Sequence, residues 1–168
     1  MKHPIVIVIA SIAVLAWAGM GRAAIAPADS APDTESSGEP TTEASAATTH
    51  DGVWKPVTAV MSGVPLPAPV LKIITLKISG ENYEVRVEGE EEADQGTCAL
   101  DTSTTPKRMT IKSTAGPNRG KTMLAIYEMT DAQTLRVCYD LSGKDFPKEF
   151  QAPKDSLFYL VDYKRQKQ

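Results

Sequence analysis

Between Lys107 and Asp140 the apolar side chains keep a period of two. Met109 and Ile111 alternate with polar residues, and Leu135, Val137 and Tyr139 alternate with Arg136 and Cys138. Between these pairs runs a nearly unbroken apolar segment from Met123 to Met129. A period of two sends successive side chains to opposite faces of a strand, so the stretch predicts three strands of a meander. The same signal recurs at Trp54–Met61, Val70–Ile78, Tyr83–Val87, Gly96–Leu100 and Leu157–Tyr163. Tyr83, Val85 and Val87 stand there against Glu84, Arg86 and Glu88, and Ser79-Gly80-Glu81-Asn82 reads as the turn before them. Pro65, Pro67 and Pro69 interrupt the segment Ser62–Pro69, and no stretch keeps a helical period. About eight short strands with turn signals every eight to twelve residues predict an all-β barrel or sandwich. Sequential antiparallel pairing favours an up-and-down barrel, which has an interior.

The central strand is apolar on both faces: Met123, Ala125, Tyr127 and Met129 share one, Leu124 and Ile126 the other. One face lines the interior. The other is either covered by the proline-rich segment 62–69 or exposed as a contact patch, and burial on both sides for stability alone is the simplest alternative. Just before this strand, Gly120-Lys121-Thr122 copies the tail of a phosphate-binding loop, G-x-x-x-x-G-K-[ST], but Ala115 stands where its first glycine belongs. Such a loop also needs a helix after it to present backbone N–H groups to the anion. A strand is predicted instead, so Gly116-Pro117-Asn118-Arg119-Gly120 reads as a hairpin turn in which the glycines supply positive φ.

Outside the strands the composition changes twice. Ile5–Ala18 is almost continuously apolar behind Lys2, followed by the small residues Ala24-Ile25-Ala26. The run is short of the ~20 residues a membrane span needs, so residues 1–26 read as a signal peptide, cleaved at Ala18 or Ala28, or as an uncleaved N-terminal anchor. Residues 27–50 contain three prolines, nine Ser or Thr and five acids, with no apolar side chain larger than alanine. That composition predicts a disordered linker, and His50 at its end has no companion that would make it a metal ligand. The chain is therefore expected to be exported (periplasmic, cell-surface or secreted), with 51–168 as its single folded domain.

Within 51–168 sixteen basic residues balance sixteen acidic ones. The signs segregate: Glu81–Asp101 holds eight acids and one Arg86, Lys107–Lys121 five bases and no acid. Neighbouring strands of opposite sign can pair across a sheet. Glu90-Glu91-Glu92 with Asp94 lacks the alternating ligand spacing and central glycine of a calcium loop and reads as a solvated turn. A neutral domain with one short basic run does not point to nucleic acid. Neither a cofactor nor a bound metal is expected.

Catalysis is disfavoured by what is missing. No histidine lies between Asp51 and Gln168, which removes the base of Ser-His-Asp and Cys-His mechanisms and the commonest ligand of catalytic zinc. Paired carboxylates for glycoside hydrolysis would depend on a separation that sequence does not reveal. Cys98 and Cys138 are the only cysteines. A bridge between them would close a loop of about 40 residues, worth roughly 4 kcal/mol, and the alternative is two separate buried thiols.

Pro106-Lys107, the string Gly116 to Thr122, Ile126-Tyr127-Glu128, Leu135 with Cys138-Tyr139, and Pro147 with Phe150 resemble a family of small exported planctomycete domains of unknown function. The likeness covers nearly all of 51–168 and implies a lipocalin-like, calycin-type β-barrel. Two features match lipocalins directly: Gly52-Val53-Trp54 resembles their Gly-x-Trp opening, and Arg165 follows the last strand. In such a barrel Trp54 and Arg165 meet at the base and serve structure. The chain departs from the family at Phe146, where a basic residue is usual, and at Cys98, where an aromatic one is expected. The resemblance implies no activity.

Two functional readings result. In the first, a non-catalytic barrel binds a small apolar molecule among soft interior side chains, for which Met109, Met123, Tyr127, Met129 and Tyr139 are the candidates. In the second, the core is solid and the outer face meets an envelope or surface protein. An eight-stranded barrel is just wide enough to be filled by its own side chains or to hold one small ligand, so interior volume decides between them. Membrane association is expected only through an uncleaved N-terminal anchor.

Overall fold

The computed structural model describes residues 50–167. The expected signal peptide at 1–26 and all of the linker except His50 lie outside them. The described elements are β1 (Gly52–Met61), β2 (Val64–Pro65), α1 (Ala68–Ile73), β3 (Ile74–Ser79), β4 (Asn82–Val87), β5 (Asp94–Asp101), β6 (Lys107–Ala115), β7 (Thr122–Asp131), β8 (Thr134–Asp140) and β9 (Phe158–Arg165). Strands β1 and β3 to β9 each pair antiparallel with the next, and β9 returns to β1. The result is a closed eight-stranded up-and-down barrel, as the alternation predicts. The extra strand β2 folds back on the end of β1, with Met61 opposite Val64.

Register carries the periodicity into a core. Met109 faces Ala125, Ala125 faces Tyr139, and Tyr139 faces Tyr159, so one row crosses four strands on the inner side. Because side chains alternate, this register also turns Ile111, Val137, Val161 and Tyr163 inward. Trp54, Leu135 and Val137 are fully buried in the same core. Bulges at Pro56/Thr58, Gln95/Gly96 and Met129/Asp131 add the local bend that closure requires. Gly96 is obligatory at the second of these, since a Cβ there would lie 1.9 Å from the Lys112 carbonyl oxygen.

Two expectations are corrected. Val70–Ile78 does not run as one strand: residues 68–73 form α1, and the strand begins at Ile74. Proline is tolerated in the first helical turn, where N–H groups have no intrahelical acceptor, so Pro69 starts this helix rather than excluding it. The helix buries Leu71 against the barrel core. The outer apolar face of β7 is also not covered by 62–69. It lies under the long β8–β9 connection, residues 141–157, where Ile126 and Cys138 sit side by side, buried, near Phe146, Pro147 and Gln151.

Asp140 anchors that connection from a site 3% exposed. Its carboxylate accepts hydrogen bonds from the backbone N–H groups of Ser142, Lys144 and Asp145 and from the Ser142 hydroxyl. Burial opposes the charge, but these donors outweigh it and hold the Asp140 pKa below the usual carboxylate value. The Arg108 guanidinium lies 4.8 Å from the centre of the Phe146 ring and helps close the strap over β6 and β7.

The 116–120 segment is a turn with both glycines at positive φ, 80° and 84°. Strand β7 follows it directly, so the phosphate-loop resemblance of Gly120-Lys121-Thr122 has no helix behind it. The acidic and basic stretches do become neighbours in β5 and β6, with Asp101 opposite Arg108. Among the described residues, however, no close side-chain ion pair joins the two stretches. The ion pairs form elsewhere, as in Arg136 with Asp162 at 2.6 Å on the outer face of β8 and β9.

Candidate ligand cavity

The up-and-down order sorts the connections between two ends. The 80–81, 102–106 and 132–133 turns and both ends of the domain lie at the base; 62–73, 88–93, 116–121 and 141–157 lie at the opposite end. The base is closed by Trp54, which is wholly buried. Its indole N–H donates to the His50 carbonyl at 2.9 Å, and the Arg165 guanidinium stacks 4.3 Å from its ring centre. Arg165 also donates to the carbonyls of Asp51 and Ala132, tying both ends of the domain and the 132–133 turn to one side chain. Gly52 makes room for this: a Cβ there would lie 2.7 Å from an Arg165 nitrogen. The His50 ring meets the Gly80 carbonyl at 3.2 Å, so it has a structural partner that the sequence did not suggest.

Above this floor the interior is not solid. A cavity of about 280 Å³ runs from the core toward the end formed by the 88–93 and 116–121 turns. Ile74, Leu76, Ile78, Val137 and Met109 make its aliphatic wall, while Glu90, Glu92, Pro117 and Asn118 border its mouth. The volume falls just short of the range of small-molecule sites, about 300–1,000 Å³. At interior packing density it suits a ligand of roughly ten to thirteen non-hydrogen atoms.

Met109, Met123 and Tyr139 border this cavity as the alternation predicts. Tyr127 and Met129 do not. They share the inner face of β7, but Tyr127 is buried within the packed core and Met129 is packed against it. Period two assigns a residue to a face and says nothing about its depth along the barrel. Cys98 and Cys138 are free and lie on opposite faces of the wall, so no bridge joins them. Cys98 borders the cavity, whereas the Cys138 thiol donates to the Gln151 carbonyl under the outer strap at 3.3 Å. Burial pushes both thiols up, Cys138 to about 11.

Sequence reasoning missed the polar side of the site. Tyr83, on β4, and Ser113, on β6, approach to 2.5 Å between their hydroxyl oxygens. The Ser113 hydroxyl donates to one Asp94 carboxylate oxygen at 2.8 Å; the Asn118 amide donates to the other at 3.1 Å, and the Tyr83 hydroxyl oxygen lies 3.3 Å from that same oxygen. Lys121 holds Asn118 in turn, donating to its amide oxygen at 3.1 Å. Tyr83 and Ser113 were legible as inward positions of predicted strands; Asp94 and Asn118 sit at a strand start and in a turn, where no period applies. A second aromatic group faces them, with Tyr139 and Tyr159 stacked at 5.8 Å and the Tyr139 and Tyr163 hydroxyls 3.3 Å apart.

Burial raises the pKa of Tyr83, Tyr139, Tyr159 and Tyr163 above the ordinary tyrosine value. For Tyr83 the Ser113 hydrogen bond offsets part of that rise and the Asp94 charge adds to it. These phenols and the Cys98 thiol therefore stay protonated near neutral pH. They offer hydrogen bonds and aromatic faces, and neither a nucleophile nor a base at that pH. Among the described residues no group of three His, Cys, Asp or Glu side chains is placed to hold a metal ion.

The site belongs to a closed antiparallel barrel with one floor, one mouth and an interior of mixed aliphatic and aromatic lining. Comparison with models of known protein families and with curated proteins finds no match to this chain.

Proposed function

We propose that the chain is an exported, non-catalytic barrel, of the kind represented by the planctomycete domains it resembles, that holds a small apolar molecule in its interior. The observation that carries this reading is the cavity of about 280 Å³ with its largely apolar and aromatic wall. A barrel stabilised only by packing has no use for unfilled volume, which forfeits dispersion contacts along its lining. The alternative of a surface interaction module was built on a solid core, and the cavity counts against it. Lack of histidine in 51–168 supports a non-catalytic role, and the export part rests on the composition of residues 1–50.

The test is calorimetric titration with neutral ligands of roughly ten non-hydrogen atoms, such as naphthalene and octanol. At about 0.5 kcal/mol per ligand atom the gain is about 4.5–5 kcal/mol, a Kd of roughly 200–500 µM. Saturable one-to-one binding that Cys98→Phe weakens at least tenfold is expected. Absence of binding, or binding indifferent to a ring at position 98, overturns the reading.

A further inference from the structure

The cavity is not electrically neutral at its mouth. Among the described residues three charged ones border it, Glu90, Glu92 and Asp94, and all three are acidic. Asp94 spends its lone pairs on Ser113 and Asn118, while Glu90 and Glu92 are solvent-exposed. Among the described residues no basic side chain forms an ion pair with any of the three. Glu88, two residues before Glu90, faces Lys55 at 4.0 Å, and Lys121 is held by the Asn118 amide oxygen. Arg119 and Lys121 belong to the same turn as Pro117 and Asn118 yet do not border the cavity.

Behind the carboxylates stand the rings of Tyr83, Tyr139, Tyr159 and Tyr163. An aromatic face carries negative electrostatic potential and attracts a desolvating cation, most strongly where water is excluded. Carboxylates at the rim of a low-dielectric cleft focus field lines into it and raise the local concentration of cations. The same field repels an anionic head group such as a fatty carboxylate. An apolar tail fits the aliphatic wall, and a positive head is favoured at the mouth.

We propose that the ligand is an amphiphilic amine: an apolar or aromatic body, small enough for the cavity, ending in an ammonium group held between Glu90 and Glu92. The proposal rests on the cavity reading above and adds the charge of the occupant. Octylammonium, octanol and octanoate share one tail and differ in head group, so they separate the two claims.

The protein is titrated calorimetrically with each at low ionic strength and again at high ionic strength. Octylammonium is expected to bind at least tenfold more tightly than octanoate, with octanol between them, and added salt should compress the series. The exposed pair Glu90→Gln/Glu92→Gln should bring octylammonium and octanoate within about threefold while leaving octanol unchanged. If octanol binds but octanoate binds as tightly as octylammonium, the amine proposal is overturned and the cavity reading stands. A preference that survives the double substitution also overturns the assignment to the rim carboxylates. If none of the three binds, the cavity reading itself fails.

Discussion

Replacing Arg165 isolates the closure of the barrel floor. The guanidinium lies 4.3 Å from the Trp54 ring centre, a contact worth about 0.5–2 kcal/mol depending on its desolvation. It also donates to the Asp51 and Ala132 carbonyls, and a hydrogen bond from a charged donor contributes roughly 1.5–3 kcal/mol when water cannot replace it. Arg165 is only partly buried, so water recovers part of the second term in the variant. Arg165→Ala should then cost about 2–4 kcal/mol, and Arg165→Lys about half of that, since an ammonium can sit over the indole but cannot reach both carbonyls. For a domain of this size that is a fall in Tm of very roughly 4 °C per kcal/mol. Urea unfolding followed by circular dichroism measures the difference directly, with the exposed Lys167→Ala as the control. A loss under about 0.5 kcal/mol for Arg165→Ala, or full retention in Arg165→Lys, would refute the floor as described.

Further expectations follow from buried titratable groups and from the strap. All five tyrosines of the chain are described, and burial raises every one of them. Stability held by protonated phenols is fully present below the ordinary tyrosine pKa and lost as pH rises through the higher folded values. Absorbance at the tyrosinate band should therefore stay flat at the pH where free tyrosine titrates, then rise in one cooperative step with unfolding; gradual titration in the folded state would contradict this. Asp140 and Asp162 behave oppositely. Burial works against each charge, but donors outweigh it: Ser142 and the backbone N–H groups for Asp140, Arg136 and Thr58 for Asp162. Their stabilisation is present above the ordinary carboxylate value and lost as pH falls through the lowered folded values, so Asp140→Asn should flatten the acid limb of the stability curve. Thiol reagent should find neither cysteine in the native protein and both after denaturation, since both are free and buried; no thiols after denaturation would mean a bridge. Ile126→Ala, under the strap and 1% exposed, should cost about 2–5 kcal/mol in urea unfolding.

Strand identity was legible because each strand buries one face, and a period of two is the direct consequence. Met109, Met123 and Tyr139 were found as cavity residues for that reason. Tyr127 and Met129 carry the same signal, and only the tilt and depth of β7 keep them out of the cavity. The strap could not be read, because 141–157 covers the barrel through isolated contacts at Phe146, Pro147 and Gln151 that obey no period. Nor could α1, whose six residues are too few for a helical repeat and whose Pro67 and Pro69 look like breakers until their place at the helix start is known. Glu90 and Glu92 read as a solvated turn, which they are; that they also rim a cavity depends on the closure of strands far apart in the chain. The Trp54–Arg165 contact was anticipated because it joins the first and last strands, which closure must bring together.

The central claim is that a small apolar molecule occupies the space bordered by Met109 and Met123. Methyl NMR of the methionine-labelled protein, titrated with octanol, tests it most directly. The account predicts saturable shifts of the Met109 and Met123 methyl signals with one common Kd, while Met129, on the same face of β7 but off the cavity wall, stays fixed. Unmoved Met109 and Met123 signals at saturating octanol, or equal shifts of all the methionines in the domain, would contradict it.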